Sequence, residues 1–311
     1  IFRIIGRFLT FLLTPFYTNY LDITNPAKPE NDFIIYIFSI IAFINVLYSL
    51  GMESAYFRFY EKNDEERSKS VFTHSFFSIA SISIFFALII IFFADTLAPK
   101  ITNLPNAKSL LILTVFIPVF DALVLIPYAR LRMLRKAKRF AVTKFVQILI
   151  TVFLNIILVS IFKIGVLGVV ISFYIASFAI LLVLLKEIKE NLHFKFDKKL
   201  FISMLKFALP TLPASFSAII LQVADRPILK AMATNASDLA IYGVNYKLGI
   251  PMMMLVSVFE YAWKPFYMSN HIEPNAKKLY ARVFTYFTLA AAFVFLITSF
   301  FIEYIVQMPF V

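Results

Sequence analysis

The sequence predicts an all-α integral membrane protein, built as a two-lobe helical bundle with a pseudo-twofold repeat. Hydrophobic residues make up 61% of the 311 residues and charged residues only 15%, whereas soluble domains carry about 25% charged residues. The mean hydropathy of +0.83 agrees with this composition. A soluble fold of this length does not bury so much apolar surface. The bilayer is therefore the expected surrounding, and a repeated motif indicates the two lobes.

Nine apolar segments are long enough, or nearly so, to cross a bilayer, which takes about 20 residues of α-helix. Helices and closed β-barrels are the structures that satisfy their backbone in lipid, and barrel strands would alternate apolar with polar residues. These segments do not alternate, so helices are predicted. We number them as spans 1 to 9: Ile1–Tyr20, Phe33–Met52, Val71–Ala94, Ser109–Ala129, Phe145–Phe162, Ile164–Leu185, Phe207–Ala224, Leu239–Trp263 and Val283–Ile302.

The connections between the spans alternate in their content of Lys and Arg. One alternate set, together with the start of span 1, holds 23 of the 30 basic residues, the other set holds six, and Lys247 lies within span 8. Basic loops stay on the cytoplasmic side of a membrane. We therefore expect a multi-pass protein with a cytoplasmic N-terminus. The net charge of +12 mostly reflects this topology, and no nucleic-acid partner is needed to explain it.

The sequence offers little for metal, redox or enzymatic chemistry. It has no cysteine, which excludes disulfides, thiolate nucleophiles and cysteine-ligated metals, and it has only three histidines. The connections on the sparsely charged side are short and leave no external domain. We therefore expect no metal, no cofactor and no catalytic residue, and we interpret the protein as a non-enzyme.

A short motif occurs twice. Residues 53–60 and 260–267 both read Glu-x-Ala-aromatic-x-x-Phe-Tyr, at an offset of 207 residues, and both lie where a span approaches the basic side. A chance match in an aromatic-rich chain is the alternative. Repeats of equal orientation six helices apart indicate two lobes related by an axis along the membrane normal, as in many alternating-access transporters.

The repeat predicts where the lobes divide. Residues 1–195 would form an N-terminal lobe with spans 1–6, and residues 196–311 a partial C-terminal lobe with spans 7–9. A second lobe of equal size needs more helices, so we expect a fragment of a 12–14-helix chain. The first residue is Ile within an apolar run rather than Met, which favours missing residues at the N-terminus as well.

Prolines interrupt several predicted spans. Pro118 and Pro127 lie in span 4, and Pro210 and Pro213 in span 7. Each proline removes a helical hydrogen bond and bends the axis. Such bends suit helices that move during transport, although prolines in membrane helices also serve packing alone.

Basic side chains within the spans or next to them form the first set of candidate site residues. A charged group at mid-membrane costs about 2.5–3.5 kcal/mol and usually faces a water-filled cavity or another charge. Arg binds phosphate through paired hydrogen bonds and Lys acts as a point charge. We therefore expect a cationic cavity for an anionic substrate, formed by Arg7, Lys247, Arg3 and Arg58.

A second candidate set serves ion coupling or charge pairing. Asp121 lies near the centre of span 4 and is the expected group for proton or sodium coupling, or for holding one of the cations. For every residue of both sets the alternative is an internal salt bridge or a side chain that extends to the membrane surface. The set comprises Asp121, Glu53, Glu260, Asp225 and Arg226.

Several motifs, in order along the chain, resemble one known superfamily. Residues 6–15 look like the first helix of bacterial polysaccharide flippases, and residues 50–53 with 58–60 resemble the same proteins. The most telling stretch combines Leu-Pro-Thr-Leu-Pro at residues 209–213 with Asp-Arg at residues 225–226 and Tyr-Lys at residues 246–247. It resembles the second-lobe entry of oligosaccharidyl-lipid flippases in the multidrug/oligosaccharidyl-lipid/polysaccharide exporter superfamily.

The resemblance implies a transporter of the bacterial cytoplasmic (inner) membrane. Such proteins move undecaprenyl-pyrophosphate-linked oligosaccharide from the inner to the outer leaflet by alternating access, for surface polysaccharides such as lipopolysaccharide. Their cationic central cavity matches Arg7 and Lys247 here. The implied partners are the lipid-linked oligosaccharide, membrane lipids and a coupling proton or sodium ion.

Two alternative functions stay open. A multidrug or organic-cation exporter of the same fold would need an acidic cavity, and Ile1–Tyr20 contains no Asp or Glu. A polyprenyl-dependent membrane glycosyltransferase or polymerase would need catalytic groups on a large outer loop, and the outer connections are short. The sequence favours the flippase over both.

Overall fold

The computed structural model describes residues 21, 30–61, 63–104, 106–193, 195–232, 238–249, 252–253, 255–256, 259, 263 and 275–307. Every regular element in these ranges is a helix, which confirms the all-helical prediction. Among the described residues, seven helices are long and apolar enough to cross a membrane. They correspond to spans 2–7 and 9, because span 1 lies outside the described residues and span 8 is described only in part.

The observed membrane helices extend further than the apolar runs. We call the end of a span that adjoins a Lys- and Arg-rich connection its basic end. Most of the residues by which the helices exceed the predicted spans lie at these basic ends. The bounds are Phe33–Phe59 for span 2, Glu65–Phe92 for span 3, Ala107–Met133 for span 4, Ala137–Ile161 for span 5, Gly165–Asn191 for span 6, Lys198–Val223 for span 7 and Ala276–Phe300 for span 9.

Side-chain caps explain why two helices begin in polar sequence. Asp64 accepts a hydrogen bond from the backbone N–H of Arg67 at 2.9 Å and starts span 3. Asp197 accepts from the N–H groups of Lys199 and Leu200 at 2.9 and 3.1 Å and starts span 7. The first N–H groups of a helix have no partner within the helix, so such caps stabilise its first turn. Apolar runs alone do not reveal this turn.

The proline-containing spans 4 and 7 are both interrupted, although span 4 stays helical through Pro118. Span 4 breaks at Val124, between Pro118 and Pro127, because Pro127 has no N–H for the carbonyl group four residues earlier. Span 7 contains a 3-10 turn that includes Pro210. The helical segments are Ala107–Leu123 and Leu125–Met133 in span 4, and Lys198–Ala208, Leu209–Thr211 and Leu212–Val223 in span 7.

Two further irregularities were not predicted. Span 2 breaks where Leu50 and Gly51 adopt φ values of 46° and 66°, and span 5 ends in a π-helical turn, Ile156–Ile161. The remaining helices of the described chain are Glu30–Ser49 and Met52–Phe59 in span 2, Ala137–Asn155 in span 5, and the shorter Ala94–Ile101, Asp225–Met232, Asp238–Lys247 and Ile302–Gln307.

The main core lies between spans 2, 3, 4 and 6 and the start of span 7. Large side chains there are almost completely buried, among them Tyr48, Tyr56, Phe72, Ile117 and Met204. Span 9 is different, because its apolar side chains are largely exposed. A bilayer would cover these exposed apolar side chains.

Candidate functional site

Three polar side chains meet halfway along spans 4, 5 and 6. Asp121, the predicted coupling residue, accepts a hydrogen bond from the hydroxyl of Ser177 at 2.8 Å. The amide nitrogen of Gln147 lies 3.4 Å from the same carboxylate oxygen and 3.3 Å from Ser177 Oγ. Each residue is near the middle of its own helix. The structure therefore holds a carboxylate at mid-depth with two polar partners from separate helices.

A polar column leads from this carboxylate toward the basic end of span 5. Lys144 Nζ donates to Gln147 Oε1 at 3.2 Å and lies 4.5 Å from the ring centroid of Tyr128. In the other direction, Thr151 and Asn155 are buried on the same helix. These residues recur at helical spacing, so they share one face of span 5.

Sequence reasoning missed the partners of Asp121. A signal was available, because Lys144, Gln147, Thr151 and Asn155 form a polar stripe with steps of three or four residues within an apolar span. Ser177 gives no such signal, since serine is frequent in membrane helices and often bonds to its own backbone.

Glu53 forms an ion pair with Arg132 of span 4. The guanidinium of Arg132 also lies 4.9 Å from the ring centroid of Phe57 and 5.7 Å from that of Phe140. These contacts join the basic ends of spans 2, 4 and 5. Glu53 thus forms a salt bridge to a neighbouring helix. An internal salt bridge is the alternative that the sequence left open for this residue.

Arg58 lies where spans 2 and 7 meet. Its guanidinium is 5.1 Å from the ring centroid of Phe207, and the Phe59 ring lies edge-on to the same phenyl group at 6.2 Å. The side chain of Arg58 is exposed. Among the predicted cations, Arg58 is therefore placed at the contact between the two predicted lobes.

Asp225 and Arg226 begin a short helix after span 7, away from the basic ends. Asp225 accepts a hydrogen bond from the hydroxyl of Tyr242, and the guanidinium of Arg226 lies 4.9 Å from the ring centroid of Tyr246. Farther along this helix, Lys230 donates to the carbonyl oxygen of Ile101 at 2.7 Å. These residues join the connection after span 7 to span 8 and to the short helix Ala94–Ile101 between spans 3 and 4.

The remaining predicted site residues lie beyond the description. Arg3, Arg7 and Glu260 are outside the described residues, and of Lys247 only the backbone is described, as the end of Asp238–Lys247. The cationic cavity predicted around Arg7 and Lys247 therefore stays a prediction. The same holds for the superposition of the two repeats, since nearly all of residues 260–267 is undescribed.

An apolar groove of about 760 Å³ runs between span 3 and the start of span 7. Along span 3 its lining extends from Thr73 to Phe85, about 18 Å at 1.5 Å per residue. The walls are mainly aromatic and aliphatic side chains, and three basic or imidazole groups stand at the basic end. The wall residues include Phe77, Ile82, Phe85, Phe201 and Leu205, and the polar end has His74, His193 and Lys195.

Hydrogen bonds define the charge at the polar end of the groove. His74 Nε2 accepts the backbone N–H of Asp197 at 3.1 Å while Nδ1 lies 2.6 Å from the Ser70 carbonyl oxygen, an arrangement that fits a neutral ring with its proton on Nδ1. Lys195 Nζ donates to Glu66 at 2.9 Å. This hydrogen bond raises the pKa of Lys195 above its usual range, so the ammonium group is charged at neutral pH.

Polar side chains at mid-depth in an all-helical membrane bundle occur in several classes of membrane protein, transporters among them. A family model described as "Polysaccharide biosynthesis protein" matches residues 32–310. The chain therefore belongs to this family of polysaccharide biosynthesis proteins. Among curated proteins, none matches the sequence significantly.

Two solved structures share the fold. One is the MATE multidrug transporter DinF-BH in complex with R6G, with a TM-score of 0.62 and 17% identity over 92% of this chain and 69% of that chain. The other is named protein A, with a TM-score of 0.60 and 18% identity over 93% of this chain and 70% of that chain. At such low identity the likeness concerns the fold alone.

Proposed function

We propose that this chain is a flippase that moves undecaprenyl-pyrophosphate-linked oligosaccharide across the bacterial cytoplasmic membrane by alternating access. The observation that carries the proposal is the match to polysaccharide biosynthesis proteins over residues 32–310, in a chain with the fold of a membrane transporter. A transporter serves polysaccharide synthesis by carrying a sugar intermediate across the membrane. A lipid-linked sugar is the cargo that such a bundle reaches from within the bilayer.

The groove between spans 3 and 7 supports an amphiphilic cargo. Its aromatic and aliphatic walls suit a hydrocarbon chain, since apolar surface there is removed from water. The charged group of Lys195 stands at one end, where a pyrophosphate would be attracted. In our proposal the basic ends face the cytoplasm, so the polyprenyl tail enters along Phe77 and Phe85 while the head group stays near Lys195.

The lobes predicted from the repeat provide the moving parts. We place residues 1–195 and 196–311 in separate lobes, which meet in the described structure where span 2 contacts span 7. Arg3, Arg7, Arg58 and Lys247 would draw the pyrophosphate into the cavity between the lobes, because basic side chains form charge-assisted hydrogen bonds to phosphate oxygens.

Asp121 is our candidate for coupling. A carboxylate at mid-depth in a transporter is costly unless it takes up a proton or faces a cation. The oxygens of Asp121 and Ser177 lie within hydrogen-bond distance of each other, and the amide nitrogen of Gln147 lies 3.4 Å from the same carboxylate oxygen. Oxygen donors of this type also suit a hard cation such as sodium. Either ion would link the carboxylate charge to the relative position of spans 4, 5 and 6.

The test uses the full-length protein in a strain that lacks its flippase. The wild-type gene should restore surface polysaccharide, and Arg7→Ala with Lys247→Ala should abolish this rescue at equal protein level. In proteoliposomes, the protein should move a fluorescent polyprenyl-pyrophosphate oligosaccharide and leave the cation R6G untransported. Transport of R6G alone would instead identify a multidrug exporter, and full rescue by the double variant would reject the cationic cavity.

A further inference from the structure

A polar cavity lies among the basic ends of spans 3, 4, 5 and 6. Its volume is about 450 Å³, within the range of about 300–1,000 Å³ that is typical of ligand sites. It shares no lining residue with the apolar groove. Apart from one asparagine, all the residues that line it are charged, and the basic ones are Lys69, Arg130, Lys136, Arg139 and Lys186.

Positive charge exceeds negative charge in this cavity. Five basic residues face three carboxylates, those of Glu65, Glu187 and Glu190. Glu187 is only 4% exposed and is shared between Arg139, at 3.0 Å, and Arg130, at 3.5 Å. One carboxylate thus balances two guanidinium groups, so an anion is needed to complete the charge balance there.

One buried donor in this cluster, Arg130 Nε, contacts Glu187 Oε1 at 3.5 Å without forming a hydrogen bond to it. The Nε atom of Arg130 is shielded from solvent and makes no hydrogen bond within the described structure. A buried donor without an acceptor costs about 1–3 kcal/mol, and more when the group is charged. A ligand oxygen bound beside Arg130 would remove this cost.

The turn between spans 4 and 5 holds a further cation at the cavity. Arg135 takes a left-handed conformation with φ of 54°, and the N–H of Lys136 then bonds to the Leu131 carbonyl oxygen at 2.9 Å. Lys136 and Arg139 are three residues apart, one turn along the start of span 5, and therefore share a face. Lys136 and Arg139 therefore both line the cavity.

We propose that the cavity binds a phosphate group. Tetrahedral phosphate oxygens accept several charge-assisted hydrogen bonds at once, and Arg and Lys are the residues that supply them. An anionic phospholipid head group and a soluble phosphate offer the same chemistry. The site is separate from the proposed cargo groove, so its occupancy and cargo transport are tested independently.

The experiment compares two charge-matched double variants of the full-length protein in detergent. Lys136→Gln with Arg139→Gln removes cavity cations, whereas Lys138→Gln with Lys189→Gln removes exposed cations that do not line it. The probes are dioleoyl-phosphatidylglycerol, followed by native mass spectrometry, and inorganic pyrophosphate, followed by calorimetry. The cavity variant should bind the active probe about tenfold more weakly, while the matched control should bind it as the wild type does.

The two probes separate the sources of the phosphate. Binding of phosphatidylglycerol alone supports a lipid head group, and binding of pyrophosphate supports a soluble phosphate. The single variant Lys136→Gln is the control for misfolding, because Lys136 forms no ion pair with another described residue. This variant should also bind the probe more weakly than the wild type. The proposal is overturned if neither probe binds, or if cavity and control variants bind equally. Retained transport in the cavity variant would leave the flippase proposal intact.

Discussion

Gly51 of span 2 lies directly against Ala208 of span 7. A Cβ atom at position 51 would overlap the carbonyl oxygen of Ala208 and the hydroxyl of Thr211. Gly51 also has a φ of 66°, a conformation that residues with a Cβ adopt only at a cost. The two helices can therefore approach this closely only because position 51 carries no side chain.

Gly51→Ala should destabilise the protein and impair transport. The left-handed backbone and the overlap with Ala208 together cost about 1–3 kcal/mol or more. Thermal unfolding in detergent measures the stability, and polysaccharide rescue measures function. Gly249→Ala is the control, because Gly249 is exposed and its Cβ would lie 3.3 Å from the carbonyl oxygen of Tyr246 without overlapping it. Equal melting temperatures for the two variants would contradict this account of the contact.

Filling the groove should block the proposed cargo. Ser81→Trp puts an indole among the apolar walls, and transport of the lipid-linked oligosaccharide should fall about tenfold, since overfilling a site costs about 1–3 kcal/mol. Ile84→Trp is the matched control, because Ile84 is exposed on the same helix and does not line the groove. A flipping assay in proteoliposomes compares the two. Unchanged transport by the Ser81 variant would remove the groove from the cargo path.

Asp121→Asn should uncouple transport from its driving ion. An amide has nearly the shape of a carboxylate but carries no negative charge and takes up no proton near neutral pH. Transport by this variant should no longer respond to an imposed proton or sodium gradient. Ser177→Ala removes one hydrogen bond to the carboxylate and should lower the rate while preserving the response. A normal gradient response in the Asp121 variant would assign the residue a structural role.

Glu187→Gln should cost far more stability than Glu190→Gln. Glu187 is buried and pairs with Arg130 and Arg139, and removing one member of a buried ion cluster costs about 3–5 kcal/mol. Glu190 makes an exposed contact of 3.8 Å with Lys186, and such pairs contribute about 0–1 kcal/mol. Chemical or thermal unfolding of both variants checks the difference. Similar losses would mean that Glu187 is not buried in the protein.

Asp197 should make stability depend on pH at acidic values. The backbone N–H groups of Leu200 and Lys199 hold the pKa of Asp197 below its usual range. A lowered pKa in the folded state gives stabilisation that is present above the usual pKa of about 3.9 and is lost as the pH falls through the lower, folded value. Asp197→Ala should lower the melting temperature at pH 7.

Asn at position 197 provides the control for the charge. Asn also caps helices through its side-chain oxygen, so Asp197→Asn should keep most of the stability at pH 7. Wild-type protein should then lose stability relative to this variant as the pH falls from about 5 to 3. Parallel pH profiles for the two proteins would show that the Asp197 charge contributes nothing.

The membrane helices were predictable because the bilayer imposes a length and a polarity on each of them. Proline was informative at one point, since the missing N–H of Pro127 interrupts span 4 at Val124, whereas the helix continues through Pro118. The polar first turns of spans 3 and 7 were not predictable from the apolar runs, because the caps Asp64 and Asp197 act through backbone geometry. The break at Leu50 and Gly51 was hidden for the same reason.

The sequence singled out candidate site residues but gave no information on their contacts. Asp121 stands out as a carboxylate in an apolar run, but its partners belong to two other helices. The pairing of Glu53 with Arg132 joins positions far apart in sequence, and hydrophobicity carries no information on which helices are neighbours. The Glu187 cluster was missed because Glu187 occurs in a charged segment that looks solvent-exposed in the sequence.

The contact at Gly51 joins two helices at points where both are irregular. Span 2 breaks at Leu50 and Gly51, and span 7 changes to a 3-10 turn at Leu209–Thr211, next to the Ala208 carbonyl that faces Gly51. The segments above and below this point are therefore not bound into single rigid rods. In the alternating access that we propose, these segments would change tilt while the glycine contact persists. The junction would then serve as a fulcrum, at which one side of the transporter opens as the other closes without separating the two helices.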